Sequence, residues 1–84
     1  MQFAVATRTY LPNASESGKL SFQTGDVIML NLSLTGNGWV MGCKLGEEEK
    51  VRGWCLLTHL KKFDDESGAK LYAETLTKHD KHFA

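Results

Sequence analysis

Leu20-Ser21-Phe22-Gln23-Thr24-Gly25-Asp26-Val27-Ile28 is the stretch whose reading decides the fold. Apolar Leu20 and Phe22 alternate with polar Ser21 and Gln23, a Gly-Asp corner follows, and Val27 opens a second apolar run. Gly25 can take φ > 0 and Asp26 can bond nearby backbone, so the chain turns sharply there between two extended segments. A sharp corner of this kind is what a small barrel needs. Trp39 and the run Gly53-Trp54-Cys55-Leu56 lie downstream of it.

Working outward, Val5, Thr7 and Thr9 alternate with Ala4, Ala6 and Arg8, which predicts a first strand over Ala4 to Arg8. Tyr10 to Lys19 reads as a long loop, with Pro12, Asn13, Ser15, Ser17 and Gly18 as turn formers. Val27 to Leu32 is a strand, ended by the turn Thr35-Gly36-Asn37-Gly38. Trp39 to Leu45 and Lys50 to Cys55 flank Gly46-Glu47-Glu48-Glu49, a hairpin tip solvated by its three carboxylates. The spacings predict an all-β fold, a small, partly open barrel of five strands.

The character changes at Asp64, so residues 1–63 are expected to form the barrel and 64–84 a C-terminal helical extension. Asp64-Asp65-Glu66-Ser67 places acceptors and negative charge where a helix starts, and Ala69 to His82 contains no Pro or Gly. Ala69, Tyr72, Leu76, His79 and Phe83 fall on one helical stripe. An isolated helix of about 16 residues is marginal in water, so the stripe needs a surface to cover it.

The segments resemble an SH3 domain from about Ala4 to Lys62. Alternation and the family pattern together give a core of Ala4, Ala6, Leu20, Phe22, Ile28, Leu30, Gly42, Cys55 and Leu60, with small Ala6 and Gly42 suited to a narrow interior. The resemblance implies a groove that takes x-Pro units of a polyproline II segment between aromatic rings. In the family the first strand usually ends Ala-Leu-Tyr-Asp-Tyr; here the segment is Ala6-Thr7-Arg8-Thr9-Tyr10, so one groove tyrosine is kept as Tyr10 and the other is Arg8. Trp39 matches the groove tryptophan, and Leu56-Leu57-Thr58-His59 stands where the family has Pro-Ser-Asn-Tyr.

The outer x-Pro pocket would then be walled by Arg8 and His59, neither of which offers a tyrosine's flat face. The inner pocket keeps Tyr10 and Trp39, with Leu56 and His59 as partial replacements. At the third site, where the family has an acidic loop residue, the matching position is Lys19, and Glu16 is the loop's one carboxylate. Trp54, where relatives often carry another aromatic, would stand with Trp39 around a cation. His59 also fits a partly buried histidine bonded to the backbone.

Other chemistries find no support. Ten basic and ten acidic residues leave no net field to draw the chain to nucleic acid or anionic lipid. Cys43 and Cys55 form no Cys-x-x-Cys pair and have no histidine at ligand spacing, so they read as buried thiols and not zinc ligands. No apolar run reaches the length of a membrane helix, and Met1-Gln2-Phe3 begins no signal peptide; the chain is expected to be intracellular, cytoplasmic or on the cytosolic side of a membrane, as a module of a larger protein. Asn13-Ala14-Ser15 and Asn31-Leu32-Ser33 match the glycosylation pattern, by chance in such a setting. No nucleophile stands with a base and an orienting acid, and no glycine-rich phosphate loop is present, so neither catalysis nor a cofactor is expected.

The expected function is a non-enzymatic protein-interaction module, binding a short peptide or helical segment of a partner in a signalling, cytoskeletal or trafficking scaffold. One alternative is a structural or autoinhibitory domain whose groove or side is covered by its own C-terminal helix. A second follows from the loop sequence, which is similar to the SH3 of peroxisomal import docking proteins.

Overall fold

The computed structural model describes residues 2–13, 18–47 and 51–83, and the side chains of these as far as Thr77. Glu16, Glu48, Glu49, Lys50 and the Asn13-Ala14-Ser15 acceptor therefore lie wholly or partly outside the described residues, as do the side chains of His79 and Phe83. Five strands, β1 (Gln2–Ala6), β2 (Val27–Gly36), β3 (Trp39–Lys44), β4 (Gly53–Leu56) and β5 (Leu60–Phe63), precede a helix, α1 (Glu66–Phe83). They form one antiparallel sheet in the order β4-β3-β2-β1-β5.

The corner read from the sequence is present. Gly25 has φ 95°, and the Asp26 carboxylate accepts a hydrogen bond from the Gln23 N–H at 2.8 Å. The loop between β1 and β2 folds back over the open edge of the sheet: Leu20 N–H donates to Trp54 O at 3.0 Å and Trp54 N–H to Gly18 O at 2.8 Å. This loop-to-strand pairing covers the β4 edge, which an open sheet would leave unpaired.

Inside lie Ala4, Ala6, Leu20, Phe22, Ile28, Leu30, Val40 and Cys55, with Tyr10, Leu57 and Leu60 half-buried against them. Close packing demands the small residues. A Cβ on Gly42 would come within 2.8 Å of the Ile28 Cγ2 and 3.1 Å of the Cys55 Sγ. Burial, and the neighbouring Cys43 thiol after it, push the Cys55 thiol from 9.0 up to about 12, so it stays protonated and inert near neutral pH.

Several boundaries differ from the sequence reading. The first strand is Gln2–Ala6 and not Ala4 to Arg8, because Thr7 turns to donate both its N–H (2.8 Å) and its hydroxyl (3.2 Å) to His59 O. β2 continues past Leu32 to Gly36 through a bulge: Asn31 pairs with Met41 and Thr35 with Val40, leaving Leu32, Ser33 and Leu34 unopposed. The Asn31 side chain accepts the Ser33 N–H at 3.1 Å and replaces a lost ladder bond. Asn37 (φ 51°) and Gly38 (φ 85°) then close a two-residue hairpin whose left-handed pair matches the strand twist. The third and fourth strands end at Lys44 and begin at Gly53, shorter than expected. β5 has no counterpart in the sequence reading; pairing with β1, Ala6 opposite Leu60 and Phe3 opposite Phe63, creates it.

α1 begins where the acidic run predicts, with Asp65 Oδ1 accepting the Gly68 N–H at 2.7 Å as an N-cap. Glu66 and Lys70 add an ion pair one turn apart at 2.8 Å. The helix lies on the outer face of the sheet. Ala69 and Ala73 are 0% and 7% exposed and let it approach Val5, while Phe3, Val27, Phe63, Tyr72 and Leu76 close the seam. Val27 turns to this seam and Ile28 to the interior, which is why β2 reads apolar at consecutive positions.

Candidate functional site

Backbone bonds in both directions between Tyr10 and Phe22, 2.8 and 2.9 Å, anchor the start of the long loop to its return. They hold the Tyr10 ring 5.9 Å from Phe22, a core residue that forms the floor beneath it. Trp39 follows the tight Asn37-Gly38 turn directly and stands opposite Leu56 in the β3–β4 register. His59 closes the short 3-10 turn Leu57–His59 and is pinned by the two Thr7 bonds to its carbonyl.

These elements bring three rings into a row. Tyr10 meets Trp39 edge-on at 6.2 Å and 67°, and meets His59 on its other side at 6.0 Å and 79°. His59 also stands 6.4 Å from Phe22, at 82°. Edge-to-face contacts of this kind hold rings rigidly, while Tyr10, Trp39 and His59 all remain half-exposed. Thr58 Oγ1 lies 3.1 Å from His59 Nδ1, which leaves Nε2 as the ring's other polar atom.

Of the residues singled out from the sequence, Tyr10, Trp39 and His59 form this row, and Leu56 is half-buried across the strand from Trp39. Lys19 joins it: its Nζ lies 5.0 Å from the Trp39 ring centroid, so the cation on that ring is the chain's own. Trp54 is half-buried, pairs with Met41 and bridges Lys19 through the backbone. Arg8 is exposed beyond the end of β1, with no ion pair or ring contact among the described residues. Glu16 is outside the described residues.

Phe22 lies in the core as expected, and its fully buried ring packs against both Tyr10 and His59 from beneath. One part of the surface escaped the sequence reading. A separate concavity of about 720 Å³ opens beside the β2 bulge, between Met29, Leu32, Met41 and Arg52, and no ring of the row lines it. Its polar and apolar walls come from strand register and bulge geometry, which no local pattern announces. No group of three or more potential metal ligands occurs among the described residues, and no described helix is long and apolar enough to cross a membrane.

No family model matches this sequence, and no curated protein does. Solved structures do match. The C-terminal SH3 domain of myosin IB from Entamoeba histolytica is 25% identical, with a TM-score of 0.58, over 75% of this chain and 93% of that one. The same domain bound to an EhFP10(GEF) peptide matches equally, at 25% identity and TM-score 0.58. The first SH3 domain of human Rho GTPase-activating protein 10 is 23% identical, with a TM-score of 0.56, over 74% of this chain and 80% of that one. The fold is SH3-like.

Proposed function

We propose that this chain is a non-enzymatic protein-interaction module that seats one apolar side chain of a short partner segment, extended or helical, on the row Tyr10–Trp39–His59. The observation that carries this reading is the edge-on packing of Tyr10 between Trp39 and His59, half-exposed and rigid. Rigid rings offer contact area at little entropic cost, and their polar tips can bond a ligand's backbone. A peptide-bound SH3 domain among the similar structures supports peptides as the ligand class.

The groove departs from a proline-rich reader at its outer end. Arg8 and His59 stand in for two tyrosines there, so successive x-Pro units lack matched walls. Arg-flanked Pro-x-x-Pro peptides should bind with dissociation constants above about 100 μM, near −5.5 kcal/mol. Calorimetric titration tests this, and a low-micromolar constant for such a peptide would refute it. Chemical-shift mapping with any bound peptide should centre on Tyr10, Trp39 and His59.

A second reading concerns α1. The seam of Val5, Ala69 and Ala73 with Phe3, Val27 and Phe63 favours a helix that completes the domain by covering its side, and does not support one that blocks the groove. Peptide affinity of the full chain and of a chain ending at Phe63 separates these roles, since removing a blocking helix raises affinity whereas removing a covering one lowers only the melting temperature.

A further inference from the structure

We infer that the bulged stretch of β2 is a self-association edge, on which a second copy of this chain pairs its own β2 antiparallel about a two-fold axis at Ser33. This surface is distinct from the ring row.

The other sheet edges are guarded and this one is not. The β4 edge is covered by the pairing of residues 18–20, and β5, at the far side, carries the exposed Lys61 and Lys62. Charged side chains on an edge discourage pairing with another chain. Along β2, the ladder to β1 ends among the described residues at the pair Gln2–Leu30, and the bulge releases Leu32, Ser33 and Leu34 from β3. Asn31-Leu32-Ser33-Leu34-Thr35 contains neither a charge nor a proline. Its leucines are 48% and 38% exposed.

Backbone direction points the same way. Asp26 O accepts the Ala6 N–H on the β1 side and Val27 O accepts the Leu45 N–H on the β3 side, so alternation along β2 turns the amides of Leu32 and Leu34 to the side where β1 has ended. Ser33 faces the other way, and its N–H is taken by the Asn31 side chain at 3.1 Å. A two-fold axis at Ser33 then sets Leu32 of each copy opposite Leu34 of the other in hydrogen-bonded pairs, with the two serines as the non-hydrogen-bonded pair between them. Leu-Ser-Leu is its own complement under this axis.

Opposed residues of an antiparallel pair share a face. Each Leu34 therefore packs beside the other copy's Leu32, which lines the concavity of about 720 Å³ together with half-buried Met29 and Met41. The new ladder is confined to Asn31–Thr35, because Gln2 occupies the place beside Leu30. An interface this short makes a weak dimer, with a dissociation constant of about 0.1 to 1 mM.

Sedimentation velocity of the full chain up to about 2 mM tests the proposal. The average mass should rise from one chain toward two, and Leu34→Lys should weaken association at least about tenfold. Ser33→Cys reads the axis itself. A non-hydrogen-bonded pair brings its Cα atoms to about 4.5 Å, within disulfide reach, so mild oxidation should cross-link this variant at least about tenfold faster than Leu71→Cys on the exposed side of α1. The native chain, whose Cys43 and Cys55 are buried, gives the background. A chain that stays monomeric to about 2 mM, assemblies larger than two, or equal cross-linking of the two cysteine variants overturns the proposal. Association that Trp39→Ala abolishes and Leu34→Lys leaves intact would place the contact on the ring row and overturn it as well.

Discussion

The two apolar surfaces of this small barrel end differently. On the outer face of β1, β2 and β5, Phe3, Val5, Val27 and Phe63 are roofed by α1, where Ala69 and Ala73 bring the helix backbone close enough to bury Val5 completely. At the ring row, Tyr10, Trp39 and His59 pack on each other and on Phe22, and nothing described roofs them. Small residues suit permanent closure because they permit close approach. Large rings locked edge-on suit a surface that stays half-open, since they keep their shape without a cover. The difference teaches which apolar area the chain covers by itself and which it leaves half-open.

Substitutions should separate the two surfaces, and the largest effect is expected where both depend on one residue. Gly53→Ala pushes a methyl into Leu20 N at 2.7 Å and Gly18 O at 3.1 Å, backbone that cannot swing aside. A loss of about 3 kcal/mol in denaturant melts, together with loss of peptide binding, is expected; wild-type stability would show that the loop is not held against β4. Leu76→Ala thins the helix seam alone. Because Leu76 is only half-buried, the cost should lie at the low end of about 1 to 3 kcal/mol, with peptide affinity unchanged. A drop in affinity would break the separation.

Trp39→Ala is the converse test. Affinity for a selected peptide should fall at least about tenfold, or 1.4 kcal/mol, by fluorescence-independent calorimetry, while the melt moves less than for Leu76→Ala. Asp65→Ala removes the cap on Gly68 N–H and should cost about 1 kcal/mol with no effect on the row. The smallest effect is alkaline. The Cys55 thiol is held neutral in the fold up to about 12 against 9.0 when solvated, so its contribution is intact below pH 9 and is lost as pH rises toward 12. Comparing the native chain with Cys55→Val between pH 8 and 11 should show a shallower decline in the variant.

Much of the interior was legible because alternation is local. Ala4, Ala6, Leu20, Phe22, Ile28, Leu30, Gly42 and Cys55 were all expected in the core and are buried, while Leu60 is half-buried at its edge. Val40, buried next to the groove residue Trp39 in the same strand, is a core residue that the sequence reading does not include. Val5 was missed because it faces away from the barrel interior and is buried only by a helix that begins about 60 residues later.

Sequence alone determined the Gly25-Asp26 corner, the Asn37-Gly38 turn, the acidic helix start and the small residues that let the barrel close, since each depends on φ preference, capping or volume within a few neighbouring residues. Tertiary structure decided the rest. Leu60–Phe63 has four residues, two of them exposed lysines, and becomes a strand only because β1 offers it a ladder. The helical stripe says which face must be covered but not which surface covers it. The place of Lys19 on Trp39 follows from a loop paired to β4, residues 18 to 20 against residue 54. Local sequence sets backbone preference and periodicity, whereas the partners of a strand edge, a helix face or a loop cation are distant in the chain and meet only when the sheet closes.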